Sequence, residues 1–327
     1  MKIIVDAVGG DYYPENPVKG SILALEELDK LDIVLTGPED IIKSELTHQS
    51  YKGDRIQVHH APEIIGMDES PSYAVKRKQN SSINHGLSLL AEKQGDAFLS
   101  AGNTGALLAA STIILGRLDG IKRPTIASLF PTVKGRRLMI DAGATLEVNP
   151  DTFLQFAKMG KVYLEQIMNI KNPKVGLLNV GEETEKGTDN YKGANKELSK
   201  LDYFVGNVEG KDILCGKVDL YLCDGFVGNI LLKFGESFPP ALISLIRNTM
   251  NEMNIAEKQQ EQVYGILNAA LSDFDHEAVG GLPFLGVDGI SMVGHGGSSA
   301  VAFKNMILNA VECVENSINE KILATLN

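Results

Sequence analysis

Short apolar segments alternate with longer helical patterns along most of the chain, and this alternation limits the folds that it can adopt. The segments are rich in Ile, Val and Leu and occupy residues 2–5, 33–36, 97–99, 125–129, 138–140, 174–178, 203–205 and 220–222. Between them, residues 104–117 and 151–166 carry apolar side chains at i, i+3 and i+4, which is typical of amphipathic helices. Strands that alternate with helices indicate a largely parallel sheet. The sequence therefore predicts a doubly wound α/β fold with three αβα layers.

The alternation stops at residues 238–273, where two helical patterns follow each other without a strand. Pro239 and Pro240 stand at the predicted start of the first helix, where missing amide donors cost least. An apolar stripe at helical spacing follows, formed by Phe238, Leu242, Leu245, Ile246, Met250 and Met253. We expect a protruding helical pair here.

The length of 327 residues allows two modest domains or one large α/β unit, and 43% hydrophobic residues suffice for a buried core. The chain shows no fixed-period repeat and no Ser/Gly linker, so residues 1–327 are predicted to form a single domain.

The charge balance excludes some classes of partner. Thirty-one basic against 42 acidic side chains give a net charge of −11, which is the wrong sign for coating nucleic acid or for bulk attraction to anionic lipid. The three cysteines lack paired metal-ligand spacing, and no segment resembles a signal peptide or a membrane-spanning helix. We expect a cytoplasmic protein whose membrane contact, if any, is peripheral.

Glycine and polar residues concentrate directly after the apolar segments. They are Asp6, Gly9, Gly10 and Asp11; Ser100, Gly102, Asn103, Thr104 and Gly105; Asp141 and Gly143; Asn179, Gly181, Glu183 and Lys186; Gly206, Asn207 and Glu209; Asp224, Gly225, Gly228 and Asn229; and His295, Gly296, Gly297, Ser298 and Ser299. In a parallel sheet, these turns would lie along one rim. Glycine lets a ligand approach the backbone, and the helix starts that follow offer amides, so a phosphate-like anion is expected. The first strand is followed by no G-x-G-x-x-G turn, and the chain has no Walker loop, which disfavours a nucleotide.

Taken together, these motifs resemble the acyl-acyl carrier protein:phosphate acyltransferase family. The blocks are Asp6, Ala7, Gly9, Gly10 and Asp11, residues 100–106, Arg123 and Pro124, and residues 179–187, 206–209, 224–229 and 295–298. The resemblance implies a fold like that of phosphotransacetylases and isocitrate or isopropylmalate dehydrogenases, and a homodimer that works at the membrane surface without a cofactor. Tyr12 departs from the family pattern, which usually has His at that place.

The activity implied by the resemblance is formation of long-chain acyl phosphate from acyl-acyl carrier protein and inorganic phosphate. This product feeds phosphatidic acid and phospholipid synthesis, so a membrane glycerol-3-phosphate acyltransferase is an expected partner.

Four residues are candidates for catalysis: His295, Asn229, Lys186 and Asp224. His295 could donate to phosphate or relay a proton, or it could be a structural histidine. Lys186 could contact phosphate or the carrier protein, or be a solvated surface lysine. Aspartates that faced phosphate would repel it, so orienting roles are expected for Asp6, Asp11 and Asp224, with helix capping as the alternative for Asp11.

The expected phosphate-binding residues form a larger set. They are Asp6, Gly9, Gly10, Ser100, Gly102, Asn103, Thr104, Gly105, Asn179, Asn207, Gly228, Gly296 and Ser298.

Two basic runs could dock an acidic carrier protein, although solvated helix faces would explain them equally well. They are Lys76, Arg77 and Lys78, and Lys134, Arg136 and Arg137. The stripe within residues 238–271 could form core or dimer contacts, cover the acyl chain or touch a bilayer.

Three other functions compete with this interpretation. A short-chain phosphotransacetylase would use coenzyme A, and a decarboxylating dehydrogenase would need a dinucleotide. A non-catalytic scaffold at the membrane surface would tolerate substitutions in the strand-end turns.

Overall fold

The computed structural model describes residues 1–274 and 280–326. The strands are β1 (Lys2–Asp6), β2 (Asp32–Gly37), β3 (Ile56–His60), β4 (Ala97–Ser100), β5 (Thr125–Thr132), β6 (Gly135–Ile140), β7 (Val175–Leu178), β8 (Phe204–Val208), β9 (Leu220–Leu222), β10 (Gly281–Leu285) and β11 (Ile290–Gly294). The helices are α1 (Glu15–Glu27), α2 (Glu39–His48), α3 (Pro71–Arg77), α4 (Ser82–Ala91), α5 (Thr104–Ile114), α6 (Pro150–Gln166), α7 (Asp189–Leu198), α8 (Gly225–Glu252), α9 (Glu257–Ala270), α10 (Ala300–Glu315) and α11 (Ile318–Leu326). Each of the eight predicted strand segments overlaps a strand.

One sheet contains all of the described strands, in the order β3-β2-β1-β4-β11-β10-β5-β6-β9-β7-β8. The first five run parallel to one another, and so do β6, β9, β7 and β8. Between these groups, β10 is antiparallel to both β11 and β5, and β5 is antiparallel to β6. The two parallel halves therefore point in opposite directions.

Helices cover both faces of the sheet, as the α/β prediction requires. Along β1, Ile3 and Val5 pack into a core that includes residues of α1, α6 and α10, whereas Ile4 packs on the opposite face with residues of α4 and α5. This alternation follows from the two-residue period of a strand, and burial on both faces explains why the strand segments are almost wholly apolar. The predicted three-layer, largely parallel α/β fold is confirmed.

The prediction that a helix starts at Pro239 and Pro240 is wrong, because α8 begins at Gly225 and continues through both prolines. The Asp224 side chain accepts a hydrogen bond from the Val227 amide at 2.8 Å and caps the helix there. A proline lacks one helical hydrogen bond, and a helix secured by its cap and its packing can tolerate this loss.

The end of α8 and the whole of α9 form the expected helical pair. None of the α9 residues is buried, and Leu245, Met253 and Ile266 are each at least 65% exposed. Among the described residues, no helix is long and apolar enough to span a bilayer.

Candidate active site

The turns that follow β1, β4 and β11 lie side by side, because these strands are neighbours in the sheet and run parallel. We call this group the β4 cluster. It contains Asp6, Gly9, Gly10, Asp11, Ser100, Gly102, Asn103, Thr104, Gly105, His295, Gly296, Gly297 and Ser298. The helices that follow these neighbouring strands cover different faces of the sheet, since α1 after β1 packs on one face and α5 after β4 packs on the other. Such a crevice is the usual ligand site of an open α/β sheet.

A hydrogen-bond chain joins the two central strands of the β4 cluster. Ser100 Oγ donates to Asp6 Oδ2 at 2.6 Å and accepts from the Gly102 amide at 3.0 Å. Asp6 is fully buried, and burial raises the pKa of its carboxyl even though bonds from Ser100, Ser82 and the Val8 amide oppose the shift. Asp6 therefore orients the turn, because its carboxyl accepts from Ser100 Oγ and from the Val8 amide.

Glycine is required where the turns of the β4 cluster meet. A Cβ atom on Gly9 would lie 2.7 Å from both Asp6 Oδ2 and Ser100 Oγ, and one on Gly10 would lie 2.9 Å from the Gly296 carbonyl oxygen. Gly10 also has a φ of 95°, which disfavours any side chain. These contacts bring three backbone turns together.

Asn103 has a different role from the one expected, because its hydrogen bonds are made within the protein. Its Oδ1 accepts from the Ala106 amide at 3.0 Å and caps α5. Its Nδ2 donates to the carbonyl oxygens of Gly66, Met67 and Glu69 at 3.2, 3.1 and 3.0 Å. Asn103 thus ties residues 66–69, which we call the strap, to the start of α5.

Two amides at the start of α5 precede the amide that Asn103 caps. These are the amides of Thr104 and Gly105, and such first-turn amides have no carbonyl partner within their helix. The side chain of Ser299 caps α10 in the same cluster by accepting from the Ala302 amide. Two helix N-termini, with their positive dipole ends, therefore meet at the β4 cluster.

His295 lies at the end of β11 and is exposed. Its Nδ1 accepts a hydrogen bond from the Gly297 amide at 3.2 Å, so a neutral ring carries its proton on Nε2. Ser298 is buried, and its carbonyl oxygen accepts from Asn16 Nδ2 at 3.0 Å.

A second group of turns, the β9 cluster, follows β6 and β9. Its members are Asp141, Gly143, Thr145, Tyr191, Asp224, Gly225, Gly228 and Asn229. The Asp141 carboxylate accepts from the amides of Gly143, Ala144 and Thr145 at 2.7 to 3.0 Å, while burial raises the pKa of Asp141. This backbone nest is therefore already filled by the protein's own carboxylate.

The start of α8 packs tightly against the Asp141 turn. A Cβ atom on Gly228 would lie 1.8 Å from the Asp141 carbonyl oxygen, so no larger residue fits there without a shift of the backbone. Asn229 is exposed and its side chain lies beside Gly143. Gly228 is thus a packing residue, and Asn229 is placed to meet a ligand.

Tyr191, on α7, holds Asp224 and was missed by the sequence analysis. Its Oη donates to Asp224 Oδ2 at 2.8 Å and accepts from the Asp224 amide at 3.1 Å. Burial is the main cause that raises the pKa of Tyr191, so the hydroxyl keeps its proton. A tyrosine within a polar helix gives no local signal of such a contact, because the two residues are 33 positions apart.

Two asparagines at the ends of β7 and β8 donate hydrogen bonds to the turn that follows β7. Asn179 Nδ2 donates to the Lys186 carbonyl oxygen at 3.1 Å, and Asn207 Nδ2 donates to the Glu183 carbonyl oxygen at 2.8 Å. Lys186 is exposed. Asn207 also lines an open cavity of about 430 Å³ beside the edge strand β8, together with Lys174 and Lys217.

The expectation that all seven turns share one rim is wrong. The turns after β1, β4 and β11 lie at one edge of the sheet, and those after β6, β7, β8 and β9 lie at the other. The cause is the antiparallel insertion of β10, β5 and β6, which reverses the direction of the second half. Asn179, Asn207 and Gly228 are therefore not neighbours of Gly9, Ser100 or Gly296.

Comparison with known proteins gives matches over nearly the whole chain. A family model described as fatty acid synthesis protein matches residues 1–321. A phosphate acyltransferase from Clostridium novyi is 42% identical over 328 residues, which cover 98% of this chain and 97% of the relative. Another from Salinibacter ruber is 46% identical over 313 residues, with 94% and 93% covered.

A solved structure of a phosphotransacetylase from Streptococcus pyogenes is similar in fold. Its TM-score is 0.65 at 15% identity, and the match covers 96% of this chain and 94% of that one. The matches with relatives and with this structure span both halves of the sheet, so they include both clusters.

Proposed function

The chain belongs to the fatty acid synthesis protein family, its relatives are phosphate acyltransferases, and we propose that it makes long-chain acyl phosphate from acyl-acyl carrier protein and inorganic phosphate. One observation carries this proposal. The β4 cluster offers glycine-lined backbone and two helix N-termini at the point where the sheet changes sides. Backbone amides at helix N-termini can bind a small tetrahedral anion, so the site does not need the lysine of a Walker loop.

In the proposed reaction, a phosphate oxygen attacks the thioester carbonyl carbon. A carbon–oxygen bond forms, the carbon–sulfur bond breaks, and the pantetheine thiolate leaves with the carrier protein. Phosphate is partly dianionic near neutral pH, so the enzyme need not activate a serine or cysteine. The protein's contribution is to position two reactants and to donate hydrogen bonds to the developing oxyanion. The Thr104 and Gly105 amides would hold phosphate, and Nε2 of His295 would donate a hydrogen bond to it.

The β9 cluster is proposed to receive the thioester side of the reaction. Asn229 would donate to the carbonyl oxygen, while Asp224 orients the start of α8 and Lys186 approaches the carrier. Sheets twist by roughly 20° per strand, which amounts to about 100° over the five steps from β4 to β9. A twist of this size would bring the two edges toward each other, and we propose that they share one reaction site.

The surface beside the β4 cluster supports docking of an acidic carrier protein on α3. Lys76 and Arg77 are exposed, and Arg77 stacks on Tyr73 at 5.7 Å from the ring centroid. Lys78 instead bonds Glu69 and the Ile64 carbonyl oxygen, so it is not part of the docking surface. A Cβ atom on Gly105 would touch Pro71, which shows that α3 begins directly against the start of α5. The alternative basic run is less suitable, because Arg137 is paired with Asp219.

We also propose that the enzyme is a cytoplasmic homodimer that touches the membrane through residues 238–271 and hands its product to a membrane glycerol-3-phosphate acyltransferase. The exposed apolar side chains of Leu245, Met253 and Ile266 support the membrane contact.

Purified protein incubated with palmitoyl-acyl carrier protein and radiolabelled phosphate tests the proposed activity. Labelled acyl phosphate that disappears on treatment with hydroxylamine is expected, and omission of the carrier-linked donor is the control. A preference for acetyl-coenzyme A would assign the chain to short-chain phosphotransacetylases instead. Absence of any acyl phosphate, from either donor, would leave the scaffold interpretation.

A further inference from the structure

The polar β4 cluster has an apolar margin made of exposed side chains. Tyr12 is 61% exposed and Met67 is 47% exposed. Both belong to segments that flank Gly296, since a Cβ atom on that glycine would meet Met67 Cε at 3.1 Å and Asp11 Oδ2 at 3.3 Å. The thioether of Met67 therefore ends at the wall of the proposed phosphate site.

The exposure of Met67 is fixed by the strap that carries it. Three carbonyl oxygens of the strap accept hydrogen bonds from Asn103 Nδ2, and one of them belongs to Met67 itself. Glu69 Oε1 closes the strap by accepting from the Gly66 amide at 2.6 Å and from Lys78 Nζ. These hydrogen bonds fix the backbone of the strap, and the fixed backbone keeps the Met67 side chain at the surface.

Phosphate has no apolar surface that could pack against Met67. The acyl thioester donor of the proposed function, in contrast, has a long alkyl chain. An acyl thioester combines a polar reacting end with an alkyl chain, and the site combines an amide-lined cradle with an apolar margin. Methionine is unbranched and adapts to flexible alkyl ligands. We infer that Met67 is a specificity-determining residue that binds the first carbons of the donor's acyl chain. This inference rests on the proposed function.

The position of Met67 limits which part of the chain it contacts. Because its methyl group lies against Gly296, within the cradle, it meets the carbons nearest the thioester and not the far end of a long chain. Donors that differ in these carbons should depend on Met67, and donors that differ only beyond them should not.

Steady-state kinetics of Met67→Ser with acetyl-, hexanoyl- and palmitoyl-acyl carrier protein test the inference. We expect the preference for hexanoyl over acetyl donor, measured as a ratio of kcat/KM, to fall by about tenfold, because the apolar burial of the carbons that acetyl lacks is lost. The palmitoyl to hexanoyl ratio should stay unchanged, and Met67→Leu should restore the wild-type preference. Val133→Ser is the matched control, since Val133 is 83% exposed in the turn between β5 and β6.

An equal loss with all three donors would show that Met67 only supports the fold of the strap and would overturn the inference. Wild-type ratios in Met67→Ser would overturn it as well. If wild-type protein makes acyl phosphate from none of the donors, the proposed function itself fails, which is a distinguishable result.

Discussion

Ser100 Oγ donates a 2.6 Å hydrogen bond to Asp6 Oδ2, and this bond links the ends of the adjacent strands β1 and β4. The same hydroxyl accepts from the Gly102 amide, so one side chain fixes the turn that leads into α5. The order of the proposed phosphate site therefore depends on a buried serine that need not touch phosphate.

Replacement of Ser100 by Ala should lower the free energy of unfolding by about 1 to 3 kcal/mol, because a buried carboxyl loses a donor. The KM for phosphate should rise, since the Gly102 turn loses its anchor. Urea unfolding and phosphate kinetics measure the two effects. Ser237→Ala, at an exposed position of α8, is the control. If Ser100→Ala is destabilised but its KM for phosphate is unchanged, the hydrogen bond between Ser100 and Asp6 does not order the phosphate site.

Replacement of Tyr191 by Phe should remove both hydrogen bonds to Asp224 while leaving the ring against Phe153, whose centroid is 5.3 Å away. We expect a loss of stability of about 1 kcal/mol and a lower kcat, because the start of α8 is less well positioned. The KM for phosphate should not change if phosphate binds at the other edge. Tyr203→Phe is a matched control, and an increase in phosphate KM for Tyr191→Phe would count against the division of roles.

The His59 and His85 rings predict a pH effect on stability. Nε2 of His59 lies 3.0 Å from Nδ1 of His85, and burial, followed by the charges of His59 and His60, lowers the pKa of His85 below 6.5. The unfolded chain then binds this proton more readily than the folded one. Stability is therefore retained above pH 6.5 and lost as the pH falls from there toward the folded pKa.

Urea unfolding at about pH 7.5 and about pH 5.5 measures this effect. The loss of stability between them should be smaller in His85→Asn than in wild type. His48→Asn should leave the loss as it is, because the His48 side chain is 76% exposed. Equal losses in all three proteins would refute the assignment to His85.

Vesicle flotation tests the proposed membrane contact of the helical pair. Leu245→Glu should reduce the bound fraction at anionic vesicles by about tenfold, because an acidic side chain replaces an exposed leucine in the bilayer surface. Val180→Glu, which adds the same charge at a valine that is 82% exposed in the turn after β7, should bind like wild type. Binding that is equal in both variants would exclude this contact surface.

Much of the fold could be predicted because apolar runs buried on both faces are easy to recognise in a sequence. Strands β3, β10 and β11 were missed, since His59 and His60 interrupt the apolar pattern of β3, and Gly281, Pro283 and Gly294 dilute that of β10 and β11. This omission left out two of the three antiparallel pairings between the halves, β11 with β10 and β10 with β5, while the third, β5 with β6, joins two strands that were predicted. Strand direction is set by long-range pairing, which a local pattern does not encode.

The candidate site was predicted less completely than the fold. Glycines at strand ends indicated correctly where the backbone turns approach each other, as at Gly9 and Gly10. The role of Asn103 could not be foreseen, because the strap that it holds is 34 to 37 residues away. Residues that contact each other only after folding, such as Tyr191 and Asp224, leave no spacing signal.

The position of the bound anion tests the central claim most directly. Crystals soaked in arsenate, a heavier analogue of phosphate, would reveal that position by anomalous scattering. The account predicts a peak in the β4 cluster, beside the amides of Thr104 and Gly105. A peak beside Gly143 and Asn229 instead, with none in the β4 cluster, would contradict it.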